Sequence, residues 1–329
     1  MRSSRAASSV STPAQMSRRG LQTITLGSAD GSTQAEFVPG ANMVCCSLRY
    51  HGLEFLDPGD GIAAYAERGR TMGIPLLHPW ANRLEGVEYC AAGRRVVLPR
   101  DQAVIAVDES GLPIHGVIPR RMRWHVAALA RHALVSVLNW RTPELLELFP
   151  FEHELRLEVT IERGRLEVVT TLRATGREPV PVAFGYHPYL RIPGVDRDAW
   201  QVTFAESERL LLDERMIPTG RRVPLSRRSL RLGDRGFDDA FAALSVPAQF
   251  RVAGGGLALT ADFLDGFRYA QDFTPPAAGF ICFEPMAAPT NALNSGDGLT
   301  VVQPGGEYRS AFAISIADSV GGGAQEGST

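Results

Sequence analysis

A histidine and a glutamate sit in two apolar, proline-stiffened segments about a hundred residues apart. They are Phe184-Gly185-Tyr186-His187-Pro188-Tyr189 and Phe283-Glu284-Pro285-Met286-Ala287-Ala288-Pro289-Thr290-Asn291. An imidazole and a carboxylate held in this way can act as general acid and general base once a fold brings them together. Glu284 follows the apolar run Gly279–Phe283. Burial there disfavours its ionised form unless donors compensate, which is how a base is tuned. Read by itself, Glu284 also fits a buried structural carboxylate paired with an arginine. His187 also fits a hydrogen-bonded core histidine. Pro188 presets the backbone beside it, and Tyr186 and Tyr189 could orient its ring or line a pocket.

Four other segments carry polar side chains of note, two of them suited to vicinal hydroxyls. Gly73–Leu84 contains Pro75, Pro79 and Trp80 and ends in Asn82-Arg83. Its prolines exclude a regular helix, and Asn82 and Arg83 supply donors and one acceptor for vicinal hydroxyls. In Ile114-His115-Gly116-Val117 the glycine permits close backbone approach beside His115. Gly236-Phe237-Asp238-Asp239-Ala240-Phe241 sets two carboxylates between aromatics, for binding hydroxyls or for capping a turn. Gln271-Asp272-Phe273-Thr274 reads as an amphipathic strand. Taken one at a time, each also has an ordinary structural reading.

The elements that must position these residues read as strands. Glu154–Glu162 alternates polar and apolar, Arg163-Gly164 turns the chain, and Leu166–Leu172 is the expected hairpin partner. Similar runs fall at Leu21–Leu26, Met43–Arg49, Ala133–Trp140, Gln201–Phe204, Leu257–Phe263 and Ala311–Ala317. Helical periodicity is confined to a turn or two at Gly61–Glu67 and Pro143–Leu148. The pattern predicts an all-β sandwich, with residues 21–318 as one large domain. The Ser-, Arg- and Ala-rich residues 1–20 and the Gly-rich end, residues 319–329, are expected to be disordered tails.

Composition removes several chemistries. All 34 basic residues are arginine. The absence of lysine excludes Schiff-base catalysis, pyridoxal-phosphate attachment and a P-loop. A net charge of −2 gives no bulk attraction to nucleic acid or anionic lipid. No apolar run is long enough for a transmembrane helix. Cys45, Cys46, Cys90 and Cys282 lack CxxC spacing. They are expected to be reduced thiols of a cytoplasmic protein, with no metal site.

Taken in order, the segments resemble the aldose 1-epimerase, or galactose mutarotase, family. The resemblance rests on Pro79-Trp80-Ala81-Asn82-Arg83, His115-Gly116, Gly185-Tyr186-His187-Pro188-Tyr189, Phe237-Asp238, Gln271–Thr274 and Glu284-Pro285, with Pro304–Tyr308 as a late turn. It spans about residues 30–317. It implies a large β-sandwich of the galactose mutarotase-like supersandwich type, with a sugar bound in a cleft on one sheet. It implies His187 as acid, Glu284 as base, and Asn82, Arg83, His115, Asp238 and Gln271 as sugar contacts, without metal or organic cofactor. His78 departs from the aromatic residue common at its place, and Asp238-Asp239 leaves the choice of carboxylate open.

Three other functions fit parts of the pattern. A hexose-6-phosphate mutarotase would need an arginine cluster, for which Arg94 with Arg95, or Arg120, Arg121 and Arg123, are candidates. A sugar-binding module without catalysis would not need His187 and Glu284. A glycosidase would use Asp238 and Glu284 as its carboxylate pair. Within the segments assigned to the cleft only Arg83 is positive, so neutral aldoses are expected to be preferred over their 6-phosphates.

Overall fold

The computed structural model describes residues 21–318, together with the backbone of Gln15 and Met16, which pairs with Thr23 and Gln22. The two expected tails otherwise lie outside the described residues.

Two large antiparallel sheets make up most of the molecule. The first has nine strands. It contains the expected hairpin, His153–Glu162 and Arg165–Ala174, joined through Arg163-Gly164 with Gly164 at φ 64°. Glycine has no β-carbon to oppose that turn. Burial alternates strictly along His153–Ile161, as a half-buried strand requires. His125–Ala130 and Ala133–Trp140 extend the sheet on one side. Glu307–Asp318, Leu257–Asp265, Ala248–Gly254, Gln201–Phe204 and Arg228–Arg231 follow on the other.

The second sheet carries the candidate site. Its order is Pro218–Leu225, Ser207–Leu212, Phe237–Ala242, Tyr269–Thr274, Ile281–Met286, Gly185–Tyr186 and Leu76–Leu77, with Tyr189–Leu190 also pairing to Ile281–Met286. The register sets Gln271 opposite Glu284 and Ala240, and Phe273 opposite Cys282 and Asp238. Residues directly opposite share a face, and the side-chain period along a strand is two. Asp238, Gln271, Phe273, Cys282 and Glu284 therefore lie on one face, while Phe237, Asp239, Asp272 and Phe283 lie on the other.

The second of these faces packs on the nine-stranded sheet. Phe283 stacks on Phe250 at 5.5 Å and meets Phe204 edge-on, and Tyr186 packs against Phe312. The Tyr186 hydroxyl lies 2.6 Å from that of Thr170 across the sandwich. Each buried phenylalanine contributes about 1.5–3 kcal/mol, so this aromatic layer holds the site-bearing sheet flat against its partner. One buried apolar cluster runs from Ile24 in the N-terminal sheet (Gln22–Gly27, Thr33–Val38, Val44–Tyr50, Leu53–Glu54) to Ile316.

The two expected helical turns occur as Ile62–Arg68 and Pro143–Leu146. The first is stopped by Gly69 at φ 68°, whose amide reaches back to the carbonyls of Ala64 and Tyr65. That stop delivers the chain into Thr71, which enters the site.

Candidate active site

His187 stands between two very short strands, Gly185–Tyr186 and Tyr189–Leu190, which pair with the same neighbour, Ile281–Met286. Pro188 has no amide to extend the ladder, and the His187 amide instead donates to the carbonyl of Pro75 at 3.2 Å. With Gly185 opposite Met286 and Tyr189 opposite Cys282, His187 falls opposite Glu284 on the cleft face, where its Nε2 lies 3.1 Å from Oε1 of Glu284. Both side chains are almost wholly buried, 4% exposed for His187 and 1% for Glu284. They form the floor of a cleft of about 620 Å³.

Two loops wall the cleft. Asn82 adopts φ 57° and accepts the His115 amide on its carbonyl at 2.9 Å. His115 and Gly116 are also left-handed, at φ 61° and 75°. At Gly116 a side chain is excluded on two counts, the positive φ and the carbonyl of His78 pressed against the α-carbon. Arg83 donates from Nε to Asp108 Oδ2 at 2.6 Å and from its guanidinium to Asn82 Oδ1 at 3.1 Å. On the sheet, Gln271 Nε2 donates to Asp238 Oδ1 at 2.5 Å. All seven residues assigned to the site from sequence therefore line one cleft.

The neighbouring carboxylates are separated by parity. Asp238 enters the cleft, whereas Asp239 pairs with Arg209 at 2.5 Å and donates its amide to Asp272. Of the two, Asp238 is the one that lines the cleft.

Burial acts on the two central groups in opposite directions. It pushes the Glu284 carboxyl well above its usual range, helped by the charges of Asp238 and Asp272 and opposed by Arg83. It pushes His187 well below the usual imidazole range, helped by His115 and opposed by its own backbone hydrogen bond. Each shift favours a neutral form, but the contact between them favours the ion pair. The pair is best treated as one unit that holds a single proton around neutrality, either as Glu284 carboxylate with His187 imidazolium or as the two neutral groups. His115 is lowered to about 3 by burial and by Arg83, so it stays neutral and offers one donor and one acceptor. Asp238 is raised by burial, against the Gln271 hydrogen bond and Arg83.

A buried carboxyl touches a buried imidazole on the floor of a cleft edged by Asn82, Arg83, His115, Asp238 and Gln271. The family profile for aldose 1-epimerase covers residues 22–315. The chain belongs to the aldose 1-epimerase family. Solved structures agree on the fold. A galactose mutarotase-like protein from Clostridium acetobutylicum superposes with a TM-score of 0.78 at 16% identity, covering 93% of this chain and 98% of that one. A protein from Synechocystis sp. PCC 6803 gives 0.73 at 21% identity, with 95% and 100% covered. A GalM/aldose epimerase homologue from C. elegans gives 0.72 at 16% identity, with 90% and 98% covered. Among curated proteins none matches the chain.

The cleft contains residues that the sequence did not single out. Thr71, Arg70, Asp108, Glu109 and the Glu214–Met216 turn all line it. Arg83 is the one positive residue of the segments assigned to the cleft, but Arg70 and Arg215, from outside those segments, also line it. They come from loops without periodicity, one ending a short helix and the other turning between strands. Arg95, by contrast, pairs with Glu88, and Arg120 with Glu67; neither lines the cleft. His78, noted for departing from the family pattern, is not a cleft residue. Its Nε2 lies 2.9 Å from Nε2 of His153, inside a cage of Trp140, Phe149 and Phe184. Among the described residues, no three His, Cys, Asp or Glu side chains converge as a metal site.

Proposed function

We propose that this protein is an aldose 1-epimerase acting on free neutral aldoses, with Glu284 as base and His187 as acid. The observation that carries the proposal is the 3.1 Å contact of His187 Nε2 with Glu284 Oε1 on the floor of a cleft lined by Asn82, Arg83, His115, Asp238 and Gln271. Mutarotation opens a hemiacetal ring and recloses it on the other face. Glu284 takes the proton of the C1 hydroxyl while protonated His187 donates to the ring oxygen. The open aldehyde turns about its C1–C2 bond, and reclosure returns both protons. The protein ends each half-reaction with one proton on the pair, so no outside proton is needed.

Polarimetry or NMR of freshly dissolved α-glucose and α-galactose tests this directly. Enzyme-dependent acceleration of the approach to anomeric equilibrium is expected, and a rate equal to that of buffer alone for every aldose tried would overturn it. No step draws on a metal, so dialysis against a strong chelator should leave the rate unchanged. Loss of activity restored by one divalent ion would contradict the mechanism.

The preference for neutral sugar follows from how the cleft arginines are engaged. A phosphate dianion calls for about two convergent guanidinium groups. Arg83 is held by Asp108, and Arg215 lies 3.6 Å from Asp213. Arg70 alone of the three has no carboxylate within reach among the described residues. Glu109, Glu214 and Asp238 oppose a dianion in the same space. Neutral aldoses should therefore show higher kcat/KM than their 6-phosphates, and the preference should persist at ~0.15 M salt, where long-range fields are screened. A 6-phosphate preference lost on Arg70→Ala would reverse the substrate class.

A further inference from the structure

We propose that Tyr189, locked in place by Thr71, is a positioning residue that holds the His187 ring flat against a phenol face and so keeps His187 able to carry the proton it donates. This rests on the acid/base function proposed above and adds to it the device that makes a buried histidine serve as an acid.

The two rings lie 4.5 Å apart at an interplanar angle of 4°. The remaining ring neighbours of His187 lie nearly perpendicular to it, His115 at 82° and Phe273 at 77°. Tyr189 is thus the neighbour stacked face to face on the imidazole. That face carries negative potential and attracts a cation, most strongly where water is excluded. Because burial disfavours the imidazolium, a face that favours it matters at this position.

Orientation is enforced separately. The Tyr189 hydroxyl lies 2.6 Å from Thr71 Oγ1 and 3.5 Å from His187 Nε2. Thr71 is 118 residues away along the chain. It is brought in by the segment whose Gly73 and Pro75 carbonyls receive the amides of Tyr189 and His187. One segment thus fixes backbone and phenol together, and the flat stack is determined at both ends.

The groups able to bias His187 are few. Glu284 faces it from Ile281–Met286, with Cys282 two residues earlier beside Tyr189. His115 faces it from Pro113–Val117, and Tyr269–Thr274 contributes the uncharged Phe273. Asp238, Asp272 and Arg83 act through Glu284, and Asp57 lies near Tyr189. Loss of the phenol face is not compensated by any of these.

The sign of the effect is fixed. His187 must be protonated to donate, so activity falls as pH rises through the upper titration of the His187–Glu284 pair. Removing a group that favours the imidazolium moves that alkaline limb to lower pH. For Tyr189→Leu the displacement should be roughly half a unit to one and a half units. Its kcat should fall ~10-fold or more with KM within ~3-fold, as expected when the acid rather than the sugar contact is impaired. Tyr189→Phe keeps the stack and should leave the limb in place. Tyr189→Phe and Thr71→Val, which lose the hydroxyl contact, should each lower kcat by ~2–5-fold, and Thr71→Ser should restore it.

The decisive measurement pairs these pH profiles with NMR titration of the His187 imidazole in wild type and Tyr189→Leu, with Tyr189→Met as the alternative if the leucine variant does not fold. A lower His187 titration point in the variant supports the role of Tyr189. An unchanged titration point, or a rise in KM at constant kcat, overturns it. Wild-type kcat in both Tyr189→Phe and Thr71→Val overturns the lock. The NMR arm needs no turnover, so a wild-type protein inactive on every sugar would sink the proposed function while the titration still decides this inference.

Discussion

Glu284→Gln and His187→Asn should each lower kcat by at least ~10²-fold while KM changes by only a few-fold, because a positioned acid or base contributes typically ~10²–10⁴-fold. Both replacements stay polar and close in size, so the cleft keeps its shape and sugar hydroxyls keep Asn82, Arg83, His115, Asp238 and Gln271. What each variant loses is one half of the proton inventory. The amide in Glu284→Gln cannot accept the C1 proton, and the amide in His187→Asn cannot deliver one to the ring oxygen. The double variant should be little worse than either single one, since two groups that exchange one proton act as a unit.

The wild-type pH profile should be bell-shaped. On the acid side a second proton on the pair removes the base; on the alkaline side loss of the last proton removes the acid. In each single variant one limb should vanish. Stopped polarimetry or exchange NMR across about pH 5–9 reads all of this. Near-wild-type turnover in either variant would remove that residue from its role.

The sequence made the fold legible where strands are half-buried. Along Glu154–Leu172 one face meets the core and the other does not, so the period of two is written in the residue types. The same rule separates residues that are neighbours in sequence. Tyr186 and Tyr189 differ by an odd number of positions, and the structure sends Tyr186 to Thr170 in the core and Tyr189 to the cleft. Asp238 and Asp239 split in the same way, but which of them faces the cleft depends on their register with Gln271, a cross-strand fact absent from either segment.

The loops were not legible. Asp108 and Thr71 carry no periodic signal, and their partners, Arg83 and Tyr189, lie far away in sequence. His78 shows the opposite failure. Its neighbours in sequence line the site, yet the ring turns away to His153, because a backbone that presents Asn82 and Arg83 to the cleft buries the residues leading up to them. His187 and Glu284 stood out because each interrupts an apolar run, and a titratable group in such a run is itself the signal.

Gly116→Ala should damage the site severely without altering a side chain that lines the cleft. Gly116 follows His115 in a left-handed pair, and an added β-carbon would strike the His78 carbonyl and the Pro79 nitrogen. Those atoms are backbone and cannot rotate aside. The His78 carbonyl also accepts the Val117 amide at 3.0 Å, so relief requires the two segments to part. Asn82 and Arg83 move with them, because the Asn82 carbonyl holds the His115 amide and Arg83 bridges to Ile114.

Three sugar contacts are thus displaced together, each hydrogen bond being worth about 0.5–1.5 kcal/mol, and KM should rise ~10-fold or more. Stability should fall by about 2 kcal/mol or more, the sum of an unfavourable φ and overpacking. The effect on kcat should stay below that of the acid and base variants, because His187 and Glu284 are carried by other strands. Gly52→Ala is the matched control, with φ 80° and open space around its α-carbon. It carries the cost of the backbone conformation alone. Thermal unfolding and saturation kinetics on both variants separate the two costs. A Gly116→Ala protein matching Gly52→Ala in Tm and KM would show that the His78 carbonyl does not hold the His115 loop against the cleft.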